Sequence, residues 1–505
     1  MFLLLILLAV GGCSGGGNDD KQSAAATTDK GGEIKEVWEA CFMDGINAGY
    51  IHTKVTPLTR KAERLVETRV TLKLIVLRSG QPTVTTATIL QLSRPNGEFL
   101  SFLCKNSTGV ETTGIVEDGQ LILKTKSGNQ TRRDKLPWDP KTGGCLADRR
   151  SLRSVMKPGE ERTLKLINPI LATVSTVHLK AIAYEKTKLL DDSQHTGKKL
   201  LKIVQETEIV TGNSSQPFRL QAYHWLDESG EVLKSYIPSI GQETYATTRS
   251  VAEARDSDEK FDLVRASIVK LKRQIDKPHT AKRIVYRVKL KHNDPAQVFA
   301  TGLTQRVIKV HDNRTADIEV VAASLDQKPR TTGKVGPGDR EPNPIVQSDD
   351  ARVIQMARKV RADPNSVKVA RQLEQLVNRS IRGDRRNYRQ AFLTAAKVAK
   401  ELEGDCTEHS VLLAALCRAH KIPARVVSGL VYSANSGGFA YHMWNEVWVN
   451  DRWYPMDATL GIGGIGAAHL KINDSNLSGT TPFGTILPVM QVFRQLELEV
   501  ISVTH

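Results

Sequence analysis

Residues 404–459 contain a thiol, an imidazole and a carboxylate in an order that suits nucleophilic catalysis. Cys406 comes first, His442 follows, and Asp457 comes last, each within a different local pattern. A thiol nucleophile needs a base that removes and returns a proton, and a carboxylate that orients this base. The three residues therefore predict an acyl-transfer site with Cys406 as nucleophile, His442 as base and acid, and Asp457 as the orienting carboxylate.

The residues around Cys406 predict a helix that begins at the cysteine itself. Asp405, followed three residues later by Glu408, matches a capping box. Apolar residues then recur at helical spacing up to Ala419. In the first turn of a helix, unpaired N–H groups and the helix dipole favour an anion. This position favours the nucleophilic thiolate form of Cys406 and lets its backbone N–H help to bind an oxyanion.

His442 and Asp457 are expected on the two strands of a hairpin. Residues 439–449 are rich in aromatic and β-branched side chains and predict a strand around His442. Residues 450–452 (Asn-Asp-Arg) have turn chemistry, and residues 453–457 predict the returning strand. The hairpin brings the imidazole and the carboxylate into one neighbourhood, although the sequence does not fix its register.

This segment resembles the transglutaminase-like core, a papain-type cysteine fold found in transglutaminases, bacterial cysteine peptidases and peptide N-glycanases. The resemblance covers roughly residues 385–475 and rests on residues 404–406 (Gly-Asp-Cys), 422–425 (Ile-Pro-Ala-Arg), 442–447 (His-x-Trp-Asn-Glu-Val) and 453–459 (Trp-x-Pro-x-Asp-Ala-Thr). It implies the roles given above for Cys406, His442 and Asp457. Trp444 and Asn445 are weaker candidates for substrate contacts, and a core role is equally open for Trp444.

The chemistry implied by this resemblance is covalent acyl transfer. Attack of Cys406 on an amide carbonyl forms a thioester, which water or a second amine then resolves. Water makes the protein a peptidase or amidase, which we expect because nothing in the sequence excludes water. A lysine-type amine would instead make it a transglutaminase that cross-links proteins. A non-catalytic binding or assembly module on the same fold is a further alternative.

No cofactor and no metal is expected, and the predicted partner is a protein or peptide substrate. The sequence has no CxxC motif or His/Cys cluster with metal-ligand spacing, and residues 473–476 are too short for a calcium loop. The 71 basic and 55 acidic residues give a net charge of +16. Because the basic residues are scattered, they favour a solvated basic surface, and export of the chain would exclude a nucleic-acid partner.

The first residues predict export and a lipid anchor. Residues 1–12 are almost wholly apolar and too few to span a bilayer, which is typical of a signal peptide. Small residues before Cys13 and Ser14 with three glycines after it resemble a bacterial lipoprotein processing site, although no basic residue precedes the apolar run. This implies acylation of Cys13 and attachment to the bacterial cell envelope, facing the periplasm or the exterior. The alternative is an ordinary secretory signal with a chance cysteine.

The remaining patterns predict an α+β protein of several domains. A flexible tether over residues 13–32 precedes a mostly β domain over 33–250 and a second small β domain over 251–326. Residues 327–350 are rich in proline and glycine and predict a linker or a long exposed loop. The catalytic domain over 351–505 should contain the cysteine helix packed on an antiparallel sheet, and the glycine-rich residues 461–466 should form a flexible rim near His469.

The other cysteines and histidines of the chain have simpler interpretations. Cys417 lies on the same helix as Cys406, too far for a disulfide, and is expected to be buried. One pair among Cys41, Cys104 and Cys145 could form a disulfide in an oxidising compartment. His409 is a rival base one helical turn from Cys406, but we expect its imidazole to point along the protein surface.

Overall fold

The computed structural model describes two compact units, which divide between Asp262 and Leu263. Cys13 and the predicted signal peptide lie outside the described residues. Within the described residues, no helix has the length and apolar character needed to cross a membrane. The described residues are 27–28, 35–78, 81–107, 109–127, 130–190, 197–210, 218–254, 260–299, 301–324, 334–383, 393–478 and 487–505.

The first unit is built around a 15-stranded antiparallel sheet in the described part of the chain. Its helices are α1 Ala147–Leu152 and α2 Arg249–Glu253. Its strands are β1 Thr27–Thr28, β2 Lys35–Met43, β3 Ile46–Arg60, β4 Glu63–Arg78, β5 Gln81–Ser93, β6 Phe99–Asn106, β7 Val110–Glu117, β8 Gln120–Ser127, β9 Gln130–Pro137, β10 Glu161–Asn168, β11 Thr173–Thr187, β12 Lys198–Ile209, β13 Phe218–Leu226, β14 Val232–Ile237 and β15 Gln242–Thr247.

This sheet follows the order of the chain because most neighbouring strands are joined by short turns. Strands β2–β9 form one meander and β10–β15 another, and the two meet where β15 pairs with β2. Buried and solvent-facing side chains alternate, with Leu72, Leu74 and Val76 of β4 all inside. The predicted mostly β character of this region is confirmed.

The second unit contains the predicted catalytic segment and, in its described part, three smaller sheets. Its helices are α3 Leu263–Ala266, α4 Pro295–Val298, α5 Ala351–Ala357, α6 Ser366–Ser380, α7 Ala395–Glu401, α8 Cys406–Ala419 and α9 Leu487–Met490. Its strands are β16 Val269–Lys270, β17 Arg283–Leu290, β18 Gln305–Asp312, β19 Thr315–Val321, β20 Ala323–Ser324, β21 Ala424–Ser433, β22 Gly438–Val449, β23 Arg452–Met456, β24 Gly464–Ile465, β25 His469–Ser475 and β26 Leu496–Thr504.

The largest of these sheets has the order β16-β22-β21-β25, with β23 also paired to β22. A second sheet has the order β18-β19-β17-β26, so strands from the region predicted as a small separate β domain pair with the last strand of the chain. Residues 327–333 of the proline- and glycine-rich segment predicted as a linker lie outside the described residues, and within its described part residues 343–348 are buried. Its end is packed into this unit, because the Asn343 side chain donates to the carbonyl oxygen of Asn476 (3.0 Å).

Helix α8 begins at Cys406, as the capping pattern predicts. The carboxylate of Asp405 accepts a hydrogen bond from the N–H of Thr407 (2.9 Å), and that of Glu408 accepts one from the N–H of Asp405 (3.0 Å). The helix is buried from Thr407 to Arg418 and packs against β21 and β22. The predicted packing of the cysteine helix on an antiparallel sheet is therefore confirmed. After the helix, Lys421 has a left-handed backbone (φ 64°), a conformation for which glycine is usual at the end of a helix.

The C-terminal end of α8 is tied to the sheet by a buried arginine. The guanidinium of Arg418 donates to the carbonyl oxygens of Ala424 (2.8 Å), Asn476 (2.8 Å) and Glu341 (2.9 Å). Burial lowers the pKa of Arg418 to about 10, although the charge of nearby Asp339 opposes this effect. Both ends of the cysteine helix are thus fixed, one by its capping box and the other by this side chain.

We expect Asp405→Ala to lower the stability of the second unit by about 1 kcal/mol, because it leaves the first-turn N–H groups of α8 without their side-chain acceptor. Asp405→Asn keeps an oxygen acceptor at this position and serves as the matched control. Thermal unfolding of the full chain followed by circular dichroism measures the difference. Equal transition temperatures for the alanine and asparagine variants would show that the cap does not stabilise the helix.

Candidate active site

Cys406 lies at the first residue of α8 and is half-buried, so its thiol remains within reach of a substrate. Because it lies in the first helical turn, its sulfur is near the partial positive charge of the helix N-terminus, which favours an anion. The thiol also interacts with the imidazole of His442 by charge and by hydrogen bonding. The structure therefore brings together the predicted nucleophile and the predicted base, although they come from a helix and a distant strand.

His442 lies on β22, the strand that pairs with β21, where it is opposite Gly429. Its Nε2 donates to Oδ2 of Asp457 at 2.8 Å, which leaves Nδ1 as the ring nitrogen available to the thiol of Cys406. Burial favours the neutral ring, but the charges of Asp457 and Cys406 and their hydrogen bonds raise the pKa of His442 well above its ordinary value. The imidazole is thus suited to keep a proton beside the sulfur at neutral pH.

Asp457 follows β23 and is completely buried. Its Oδ2 faces His442, and its Oδ1 accepts hydrogen bonds from the N–H groups of Thr459 (2.9 Å) and Leu460 (3.3 Å). Burial disfavours the charged carboxylate, but the neighbouring imidazoles hold the pKa of Asp457 well below its usual range. Asp457 is therefore a buried anion that can orient the imidazole of His442 and stabilise its protonated form.

The hairpin that joins these two residues has a fixed register. Asn450 and Asp451 form its two-residue loop with positive φ angles of 50° and 56°, a conformation typical of tight hairpins. Val449 consequently pairs with Arg452, and the strands remain paired back to Asn445 and Met456. The predicted hairpin is confirmed, and the structure supplies the register that the sequence left open.

Trp444 and Asn445, the weaker candidates for substrate contacts, are both buried in this structure. The Trp444 ring lies 6.2 Å from the ring of His442 in a stacked arrangement and packs with the core. The side-chain amide of Asn445 donates to the carbonyl oxygen of Ser410 (2.9 Å) in α8. Neither side chain faces a substrate-accessible surface. Asn445 instead ties the histidine strand to the cysteine helix, and Trp444 packs against His442 and the core of the sheet.

The remaining charged residues of the motif form an ion-pair network across three strands. Arg425 on β21 donates to Glu446 on β22 (2.8 Å) and pairs with Asp474 on β25 (2.9 Å). The ammonium group of Lys471 reaches the second oxygen of Glu446 (2.7 Å). Buried charges of this kind are tolerated only when they are paired. The network therefore gives Arg425 and Glu446 a structural role, the joining of neighbouring strands, and not a catalytic one.

His409, the rival base, does not point along the surface as expected but is buried. Its Nδ1 lies 2.7 Å from the carbonyl oxygen of Asp405, to which it must donate. Burial lowers the pKa of His409, so its ring is neutral in the site. The expectation was wrong because the first turn of α8 is covered on both faces. This hydrogen bond gives His409 a role in fixing the turn that carries Cys406.

A second histidine, His469, lies beside Asp457. Its Nε2 is 3.1 Å from Oδ2 of the carboxylate, the same oxygen that accepts from His442. The three ligand-type atoms of these residues lie within 4.8 Å of one another, a spacing that a metal ion could use. Two N–H···O hydrogen bonds already account for this spacing.

The predicted rim over residues 461–466 is wrong in its last part, because residues 463–466 are buried and β24 pairs with β20.

Helix α6 holds the loop that follows Asp457. Glu374 accepts a hydrogen bond from the N–H of Gly463 (3.1 Å), and the Asn378 side chain donates to the carbonyl oxygen of Ala458 (2.9 Å). Burial raises the pKa of Glu374 to about 7, the charge of Asp457 adds to this effect, and the N–H of Gly463 opposes it. Sequence reasoning missed both residues. The position of Glu374 on the apolar face of an amphipathic helix could have indicated that it is buried, but not which groups it contacts.

The free cysteines of the structure differ in their surroundings. Burial raises the pKa of Cys417 to about 12 although it lies on the same helix as Cys406. Cys41, Cys104 and Cys145 are buried free thiols in the structure, without the disulfide that the sequence left open. Thiol chemistry among the described cysteines is therefore favoured at Cys406, which is half-buried beside a charged imidazole.

Comparison with known families agrees with this geometry. The family model of the transglutaminase-like superfamily matches residues 354–458, which include all three candidate catalytic residues. No curated protein shows significant sequence similarity to the chain.

Similar solved structures are distant. One is a candidate cysteine protease from Cytophaga hutchinsonii, 15% identical with a TM-score of 0.28, in a match that covers 45% of this chain and 84% of that protein. Another is a β-barrel-like protein of a domain of unknown function from Brucella abortus. It is 12% identical with a TM-score of 0.30, and the match covers 42% of this chain and 95% of that protein. TM-scores this low do not establish a shared fold over the matched lengths.

We expect Glu374→Gln to stabilise the protein increasingly as the pH rises. Because the pKa of Glu374 is higher in the folded state than in the unfolded chain, wild type loses stability between about pH 5 and pH 7 as this carboxyl ionises. The loss has an upper limit of about 3.5 kcal/mol, since one pKa unit corresponds to about 1.4 kcal/mol. Glutamine keeps an oxygen acceptor for Gly463 and does not ionise.

The measurement is the thermal unfolding temperature of wild type and Glu374→Gln at several values between about pH 5 and pH 8. Glu401→Gln, which removes an exposed carboxylate of the same unit, is the matched control. A difference between wild type and Glu374→Gln that stays constant over this range would mean that Glu374 is not the group that titrates.

Proposed function

Because residues 354–458 form a domain of the transglutaminase-like superfamily, we propose that this protein is a cysteine enzyme that hydrolyses amide bonds of proteins or peptides through a thioester. The observation that carries the proposal is the position of His442. Its ring lies between the carboxylate of Asp457 and the thiol of Cys406, with a pKa raised well above its ordinary value. This is the arrangement that a thiolate–imidazolium nucleophile requires.

The first half of the reaction uses the sulfur and the proton of His442. The thiolate of Cys406 attacks the amide carbonyl carbon, and a C–S bond forms while the carbonyl oxygen takes the negative charge. In this proposal the backbone N–H of Cys406, at the start of α8, donates to the oxyanion. The C–N bond then breaks, and Nδ1–H of His442 gives its proton to the departing amine. The products of this half are a free amine and a thioester on Cys406.

The second half of the reaction restores the thiolate. His442, now neutral, takes a proton from a water molecule, and the oxygen of this water attacks the thioester carbonyl. The C–S bond breaks, a carboxylic acid leaves, and the sulfur is again an anion beside the imidazolium. Asp457 keeps Nε2 of His442 in place through both halves and stabilises the charged ring, because it carries a full negative charge in a buried position.

The same thioester could pass its acyl group to a primary amine, which would make the protein a cross-linking transamidase. Hydrolysis is the proposal because water reaches any site that a peptide can enter, whereas an amine must be bound and oriented. Incubation of a glutamine-containing peptide in heavy-oxygen water, with and without a primary amine, separates the two reactions by mass spectrometry. Heavy oxygen in the product indicates hydrolysis, and amine adducts indicate transamidation.

We expect labelling of Cys406 by iodoacetamide to be rapid below pH 7 in wild type and slow in His442→Ala. The reason is that the imidazolium of His442 stabilises the negative sulfur, and its raised pKa keeps this charge present at neutral pH. The labelling rate is measured between about pH 5 and pH 9 by mass spectrometry of the modified peptide. Peptide hydrolysis by His442→Ala should fall by about a hundredfold or more.

Cys417→Ala is the matched control for this experiment, because it removes a buried thiol from the same helix. Its labelling profile should equal that of wild type, whereas labelling disappears in Cys406→Ala. A wild-type profile that resembles an ordinary thiol and ignores His442→Ala would instead favour a non-catalytic binding module on this fold.

We further propose that the protein acts in the bacterial cell envelope, attached by a lipid on Cys13, where envelope proteins and cell-wall peptides would be its substrates. The sequence pattern around Cys13 supports this proposal, although this residue lies outside the described structure. Expression in a bacterium followed by detergent phase separation tests it. Wild type should enter the detergent phase and Cys13→Ala should not. Release of both proteins into the aqueous phase would favour an ordinary secretory signal.

A further inference from the structure

His469 is fully buried beside the candidate catalytic residues, and the mechanism above gives it no role. It is the first residue of β25, the strand that pairs with β21 on the side away from β22. Its Nε2 lies 3.1 Å from Oδ2 of Asp457, and its Nδ1 lies 3.2 Å from the carbonyl oxygen of Gly466. A buried imidazole with an acceptor at hydrogen-bond distance from each ring nitrogen has a specific orientation, which needs a physical reason.

The contacts of Asp457 supply that reason. Its Oδ1 accepts from the N–H groups of Thr459 and Leu460, which belong to the same turn and would move with it. Its Oδ2 accepts from His442 and His469. His442 gains and loses a proton in each proposed catalytic cycle, so its hydrogen bond to the carboxylate changes in strength. His469 is the donor from another strand that the reaction leaves unchanged.

The neighbours of His469 fix where its proton lies. Asp457 and the carbonyl group of Gly466 are both acceptors, so a neutral ring can donate to one of them and an imidazolium to both. Burial lowers the pKa of His469, and the charge of Asp457 opposes this effect. A neutral ring donates to the charged carboxylate, which is the stronger acceptor. In either state the proton on Nε2 lies between His469 and Asp457.

The ring of His469 is also held by packing. Trp444 meets it edge-on with ring centroids 5.3 Å apart, and His279 does so at 6.1 Å. Gly466, whose carbonyl faces Nδ1, has no space for a side chain, since a Cβ there would lie 2.3 Å from the carbonyl oxygen of His279. The titratable groups around His469 are Asp457, His442 and His279, as their effects on its pKa and ring contacts show.

We propose that His469 is a positioning residue, a second imidazole that holds the carboxylate of Asp457 in the orientation His442 needs. It performs no proton transfer itself. The inference rests on the proposed function, because a fixed Asp457 matters only if His442 must keep its charge beside Cys406. It also gives a reason for the buried loop before β25, which places Gly466 and His469 around the carboxylate.

The test compares His469→Leu, which removes the donor, with His469→Gln, whose amide N–H can reach the same oxygen. The probe is iodoacetamide, and the readout is the pH midpoint of Cys406 labelling in the full chain. We expect His469→Leu to move this midpoint upward, towards that of His442→Ala, and to slow labelling at pH 6 by about tenfold or more. His469→Gln should remain close to wild type. Loss of packing alone would not be rescued by a restored N–H donor.

His420→Gln is the matched control, because it changes a histidine at the other end of α8 that bonds to the carbonyl oxygen of Ala357. It should label like wild type. If His469→Leu does not fold, as judged by circular dichroism, His469→Asn replaces it, since its shorter amide cannot reach Asp457.

The outcomes separate this inference from the proposed function. A midpoint for His469→Leu that is unchanged or lower would overturn the positioning role, since a lower midpoint means that His469 only draws charge away from His442. The proposed function would then stand, provided that wild type and His442→Ala still differ. If wild-type labelling does not depend on His442, the proposed function fails and the positioning role fails with it.

Discussion

The buried charge of Asp457 is the constraint on which the rest of the catalytic unit depends. A carboxylate with no exposed surface is unstable in a protein unless hydrogen bonds replace its lost water. Here four donors do so, two from imidazoles on β22 and β25 and two from the turn after β23. These elements can meet only if the strands have the order β22-β21-β25 and β23 keeps its register on β22. The sheet order and the hairpin register are therefore conditions for placing one negative charge.

The titratable groups around this charge separate into two kinds. Asp457 remains an anion and His442 a cation, because each stabilises the other and further hydrogen bonds support both. The pKa of Glu374, a second buried carboxyl near Asp457, is raised and not lowered. At about 7, it keeps Glu374 largely protonated in acidic solution. The two carboxyls differ because Asp457 accepts hydrogen bonds from two imidazoles, whereas Glu374 accepts from backbone N–H groups and lies near the charge of Asp457. One carboxylate is thus available to the histidine, and the other supports the loop.

Local patterns in the sequence were enough to predict the elements that carry the catalytic residues. The capping box of Asp405 and Glu408, the start of α8 and the hairpin around residues 450–451 all depend on interactions between residues close in the chain. His469 and Glu374 could not be assigned in this way, because their partners come from distant strands or helices. The predicted flexible rim failed for the same reason. Its glycines indicate freedom locally, but β24 pairs with β20, which lies far away in the sequence, and residues 463–466 at the end of the predicted rim are buried.

Distance along the chain is consequently a poor guide to which histidine serves the thiol. His409 is one helical turn from Cys406, yet its Nδ1 is bonded to the backbone of Asp405 and burial keeps its ring neutral. His442 comes from a separate strand, but it has a buried carboxylate behind its ring, and this contact gives it a stable positive charge. A neutral imidazole can accept a proton but cannot stabilise a thiolate by charge. The partner of Cys406 is therefore His442, whose protonated form Asp457 stabilises. The sheet determines where Asp457 lies, and so it determines which histidine serves the thiol.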